Sequence, residues 1–134
     1  MKSRILKTNL FAFALMLLFV SCTKDAEKVV VSPLDGEWNL TAYSAGLMGI
    51  ESFAKDDITW TFNSSNNTVD VLINTTLSAN SYVSIKTTST HSYSVNGSKI
   101  TIGTSEYDFY FQRGDLILSD HPEVDGPMIK FERD

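Results

Sequence analysis

The chain has 134 residues, 43% of them hydrophobic, and a formal net charge of −5. That length holds one domain of ordinary size once a leader is set aside, and the acidic balance argues against a nucleic-acid binder, which needs clustered Lys and Arg. Cys22 is the only cysteine, so intramolecular disulfides are excluded and stability must come from a packed core and a closed sheet.

Residues 1–21 read as a targeting segment. Lys2, Arg4 and Lys7 give it a basic start, and Leu10 to Val20 is an unbroken apolar run. The run is too short for a transmembrane helix and suits a signal-peptide core. It ends in Phe19-Val20-Ser21-Cys22, which resembles the bacterial lipobox; Phe19 departs from the usual Leu. The resemblance implies cleavage before Cys22, lipidation of Cys22 and attachment to the outer membrane at the cell surface. The other reading is an ordinary signal peptide that leaves a free thiol, a liability in an exported protein. Cleavage removes three basic residues and takes the net charge from −5 to −8. Acyl chains contribute about 0.8 kcal/mol per buried CH₂, so several of them anchor firmly.

Residues 22–33 form a tether. Lys24-Asp25-Ala26-Glu27 resembles the export signal of Gram-negative surface lipoproteins, and it also fits a solvated linker. Val29, Val30 and Val31 are apolar enough to pair along a sheet edge, and Pro33 ends the tether.

From residue 34 to 134 the pattern is eight short strands. Gly36 permits a tight turn before the first, which runs to about Ala45 with Trp38 and Leu40 on one face and Glu37, Asn39 and Thr41 on the other. A strand from Asp57 to Asn63 turns inward Ile58, Trp60 and Phe62. Thr68 to Thr75 turns in Val69, Val71 and Ile73 after a Ser/Asn turn. Ser81 to Val95 keeps one parity through Val83, Ile85, His91, Tyr93 and Val95, which predicts a single long bent strand. Asn96-Gly97 is a tight-turn signal. Strands at 99–103, 105–112, 115–120 and 128–133 follow, with inward Ile100 and Ile102, Tyr107, Phe109 and Phe111, Leu116 and Leu118, then Ile129 and Phe131. Consecutive short strands with turn signals and no helical period predict an all-β chain closed as a small eight-stranded antiparallel up-and-down β-barrel.

The opening Leu34-x-Gly36-x-Trp38 resembles the first motif of the lipocalin-like (calycin) barrels. That resemblance implies that a late arginine, here Arg133, lies over the motif tryptophan. Its blocks are Leu34 to Leu40, Tyr93 through Ile102, Tyr107 to Asp120 and Met128 to Arg133.

Chemistry is sparse. No Gly-x-Ser-x-Gly, paired-Cys motif or phosphate loop is present, and no catalytic residue, metal or cofactor is assigned. His91 lies in a Thr/Ser-rich bend and fits a structural role. His121, near Asp120, Glu123 and Asp125, matches no standard metal spacing. Arg113-Gly114-Asp115 reads as a hairpin turn. The stretch from Ser44 to Ala54 is unusually apolar for a connection and includes Gly46, Leu47, Met48, Gly49, Ile50 and Glu51. It fits a contact loop and equally a lid over the barrel mouth.

Two functions divide these features. One is a carrier of a small apolar ligand, the usual lipocalin role. The other is a protein-binding barrel, and about twenty large inward residues favour it, because a short-stranded barrel is filled by so many. The chain is similar to the small metalloprotease inhibitors of Gram-negative bacteria, which share Leu-x-Gly-x-Trp, and to the potempins, surface-lipoprotein inhibitors of secreted metalloproteases. It lacks the disulfide of the former, and a lipidated N-terminus cannot serve as their free zinc-binding arm. The expectation is therefore a monomeric, non-enzymatic surface lipoprotein. Its 46–51 loop would enter the cleft of a secreted metalloprotease, with a loop carbonyl or the Glu51 carboxylate near the zinc.

Overall fold

The computed structural model describes residues 32–133. The expected leader, Cys22 and Val29 to Val31 lie outside them. Among the described residues nine strands form one sheet: β1 (Gly36–Ser44), β2 (Ile50–Ser52), β3 (Ile58–Asn63), β4 (Thr68–Ile73), β5 (Ser89–Asn96), β6 (Lys99–Ile102), β7 (Ser105–Gln112), β8 (Asp115–Ser119) and β9 (Met128–Arg133). Their order is β2-β1-β3-β4-β5-β6-β7-β8-β9, and β1 also pairs with β9. Eight antiparallel strands therefore close into an up-and-down barrel, and β2 hangs on the upper half of β1 as a flap. Closure leaves the eight barrel strands no free edge to recruit another chain.

The tryptophan in β1 defines one end. Gly36, at φ 108°, makes the entry turn in a region that favours glycine. Trp38 pairs with Trp60 of β3 on one side and Arg133 of β9 on the other. The Arg133 guanidinium carbon stands 4.4 Å from the Trp38 ring centroid. Arg133 Nη2 also donates to the Pro33 carbonyl at 2.6 Å, which ties the last strand to the entering chain. The indole Nε1–H donates to the Leu34 carbonyl at 2.8 Å, and Leu34 is itself buried. This end is further tied by Asp35, whose carboxylate accepts from the Ser64 amide at 2.6 Å and from the Ser64 hydroxyl.

Those bonds, the hydroxyl first, hold Asp35 below the usual carboxylate range against the opposing effect of burial. A depressed folded pKa adds stability that is present above the unfolded value and lost as pH falls through the folded one. Asp35→Asn should therefore lower the melting temperature at neutral pH and flatten its fall below the carboxylate range. Parallel wild-type and variant pH–melting curves would remove Asp35 from the account.

The alternation expected of β1 holds only as far as Leu40. Leu40 faces Phe131 and Ala42 faces Lys130, so two residues of β1 oppose one of β9. This bulge shifts the parity by one. Tyr43 becomes buried, while Ala42 and Ser44 are only half-buried. Asn39 was expected on the outer face but is 3% exposed. Its Oδ1 accepts from the Asp56 amide at 2.9 Å, so the 53–57 connection folds down over it.

Inside, Trp38, Trp60, Phe62, Phe131, Leu40 and Ile58 are fully buried. Trp60 packs on Phe131 with centroids 4.9 Å apart, and Phe62 meets Tyr93 edge-on at 5.3 Å. Such pairs add about 0.5–1.5 kcal/mol beyond burial. Val95 and Phe111 were expected inside and are 47% and 42% exposed. Both border an apolar recess of about 350 Å³ beside Pro33 and Leu34. They sit near the ends of β5 and β7, at the same end of the barrel as Trp38, whose ring lies 5.9 Å from that of Phe111.

The long strand expected over 81–95 does not form. Only Ser89–Asn96 is strand. Residues 81–88 form an irregular segment at the other end of the barrel, and Val83 is buried. Side chains supply bonds that a ladder would have used: the Ser81 hydroxyl accepts from the Val83 amide at 3.3 Å and the Glu51 carboxylate from the Tyr82 amide at 2.8 Å. Serine and threonine compete in this way with regular pairing. Val83 joins the buried core from this irregular segment, so its matching parity does not mark a continuous strand.

Candidate functional site: a braced apolar hairpin

The apolar connection after β1 is a hairpin, not a lid. Ala42, Tyr43 and Ser44 pair with Ser52, Glu51 and Ile50. A 3₁₀ turn over Gly46–Met48 joins them. The Ala45 amide donates to the Gly49 carbonyl at 3.1 Å, the Met48 amide to the Ala45 carbonyl at 3.3 Å, and the Phe53 amide to the Thr41 carbonyl at 3.0 Å. Gly46 and Gly49 have φ of 64° and 114°, which is why the turn needs both glycines.

The tip points away from the barrel. Leu47 is 88% exposed, Met48 68% and Ile50 70%. The base, in contrast, is held. Ala45 and Phe53 pack against the core. A Cβ at Gly46 would lie 2.0 Å from the Asp125 carbonyl oxygen, so the turn rests directly on the loop before β9. Within that loop Pro122–Val124 is a 3₁₀ turn, and Val124 is 70% exposed. Met128, opposite Ser44, is half-exposed and extends the apolar surface to the hairpin base.

Glu51 works within the fold. Its two carboxylate oxygens accept from the Ser81 hydroxyl and the Tyr82 amide, each at 2.8 Å. The carboxylate expected near a zinc is thus already engaged by one hydrogen bond at each oxygen. The bracing residues Ser81, Tyr82 and Asp125 were missed by the sequence reading. They meet the hairpin from 30 or more positions away, and no local pattern announces that.

Among the described residues the two histidines pair locally. His91 Nε2 shares a hydrogen bond with Ser89 Oγ at 2.8 Å. His121 Nδ1 pairs with the Asp120 carboxylate, which raises the imidazole pKa first by hydrogen bonding and then by charge. Among the described residues no group of three or more His, Cys, Asp and Glu side chains could hold a metal ion. Arg113 and Gly114 turn between β7 and β8 with φ of 55° and 93°. Of the remaining expected residues, Gly36, Trp38 and Arg133 lie together at the closed end, and Cys22 is outside the described residues. No protein-family model matches the chain, and no curated protein matches it.

Proposed function

We propose that this protein is a lipid-anchored surface barrel that binds a protein partner through the tip of its 46–51 hairpin, most specifically as an inhibitor of a secreted metalloprotease. One observation carries the reading: Leu47, Met48 and Ile50 stand in water on a hairpin whose base is fixed on both sides. Exposed apolar side chains cost solubility, and three together mark a contact surface. A fixed base means that little ordering entropy is lost on docking, which favours affinity. Many secreted metalloproteases accept a large aliphatic side chain just after the cut bond, and the tip offers three. The packed aromatic interior around Trp38, Trp60, Phe62 and Phe131 supports a rigid-scaffold role.

The test is residual cleavage of a fluorogenic peptide by secreted bacterial metalloproteases in the presence of the mature chain. Leu47→Asp, Met48→Asp and Ile50→Asp together should weaken inhibition at least about 100-fold, since anchor residues dominate such interfaces. Melting temperature should hardly change. A wild-type chain that inhibits none of these proteases, yet takes up a fluorescent fatty acid one-to-one, would establish the carrier instead. The anchor has its own test: Cys22→Ala should move the protein from the detergent phase to the aqueous phase, and unchanged partitioning would refute lipidation.

A further inference from the structure

The chain has four methionines. Met1 and Met16 fall in the expected leader, outside the described residues. The other two lie on the hairpin face, and neither belongs to the buried core. Met48 is 68% exposed at the tip, and Met128 is 41% exposed at the start of β9. Ser44 pairs with Met128 on one side and with Ile50 on the other, so Met128 and Ile50 flank it on one face of the sheet.

This placement sets the consequence of oxidation. A thioether sulfur accepts an oxygen atom from a peroxide, and the sulfoxide is polar where methionine was apolar. Leu47, Ile50 and Val124 carry no such atom. A sulfoxide formed inside a core would disrupt packing. Here the sulfur stands in water, on a turn held by main-chain bonds from the Met48 amide to the Ala45 carbonyl and from the Ala45 amide to the Gly49 carbonyl. The change therefore falls on the contact surface and leaves the fold alone.

We propose that Met48 is an oxidative-modification site that switches the hairpin contact off. Hydrogen peroxide transfers one oxygen to the sulfur: the O–O bond breaks, an S–O bond forms, the sulfur gives up two electrons and water leaves. The switch rests on the inhibitor reading, whereas the modification of Met48 does not.

The mature wild-type chain, Met128→Leu and the double variant Met48→Leu with Met128→Leu are treated with hydrogen peroxide and freed of it before assay. Leucine keeps the volume and apolar character and lacks the sulfur. All three keep Cys22, so the double variant controls for the other sulfur. Peptide mapping of the wild type by mass should place one added oxygen on Met48 before Met128. Oxidised Met128→Leu should inhibit at least tenfold more weakly than the same variant untreated, with an unchanged melting temperature. Methionine sulfoxide reductases of both stereospecificities should restore it. Inhibition by the double variant should be the same before and after treatment. A Met48 that stays a thioether while Met128 is oxidised overturns the proposal, as does an oxidised Met128→Leu that inhibits as before. If no untreated chain inhibits a metalloprotease, the inhibitor reading and the switch fall together, and the mapping decides the modification by itself.

Discussion

Trp38→Ala should lower the unfolding free energy by about 3–5 kcal/mol, the range for truncating a large buried aromatic. The indole is 1% exposed, so the cavity left behind cannot refill from solvent without wetting the core. Three further losses follow. Leu34 loses the donor to its carbonyl, Phe111 loses a ring 5.9 Å away, and Arg133 loses the face beneath it. Arg133→Ala should cost much less. The guanidinium is exposed, where a cation–π contact contributes about 0.5–1 kcal/mol, with some stem packing besides. Urea unfolding of the two single variants and the double variant isolates the pair, because contacting residues are non-additive. Fully additive effects would show that the stacked geometry carries no energy. A Trp38→Ala loss under about 1 kcal/mol would show that the end relaxes freely.

Gly46→Ala is the second large effect, and it joins stability to function. The added methyl would sit 2.0 Å from the Asp125 carbonyl oxygen, and the backbone there has φ of 64°. Left-handed backbone costs an L-residue about 1–2 kcal/mol, and overpacking costs about 1–3 kcal/mol more. The loss should therefore be about 2–5 kcal/mol, read as a lower urea midpoint. The hairpin should also lift off the 120–127 loop, so inhibition should weaken at least tenfold through lost pre-organisation. Leu47→Ala is the control. It removes an exposed side chain and should change stability by no more than about 0.5 kcal/mol. Unaltered inhibition by a destabilised Gly46→Ala variant would separate the brace from the binding.

Local pattern was enough for the barrel. Period-two alternation in Ile58 to Phe62, Val69 to Val71 and Ile100 to Ile102 names a buried face directly, because side chains in a strand alternate by geometry. Turn residues divided the strands, and a chain without helical period or disulfides has few other ways to bury those faces. The expected leader and its cysteine rest on the basic start, the apolar run and the lipobox-like Phe19-Val20-Ser21-Cys22, and lie outside the described residues.

What only the tertiary structure decided are the places where distant segments override local preference. The bulge after Leu40 turns Tyr43 inward, and it exists only in the register with β9. The 81–88 stretch has strand-like parity, but the Glu51 carboxylate and its own hydroxyls take its bonds. The hairpin residues were visible as an apolar loop. Whether that loop covered the mouth or stood in water depended on contacts from Ser81, Tyr82 and Asp125. Side-chain periodicity reports which face a residue occupies, and it carries no record of which remote group will meet it. The indole of Trp60 is the same case, since its inward face was legible and its lack of an acceptor among the described residues was not.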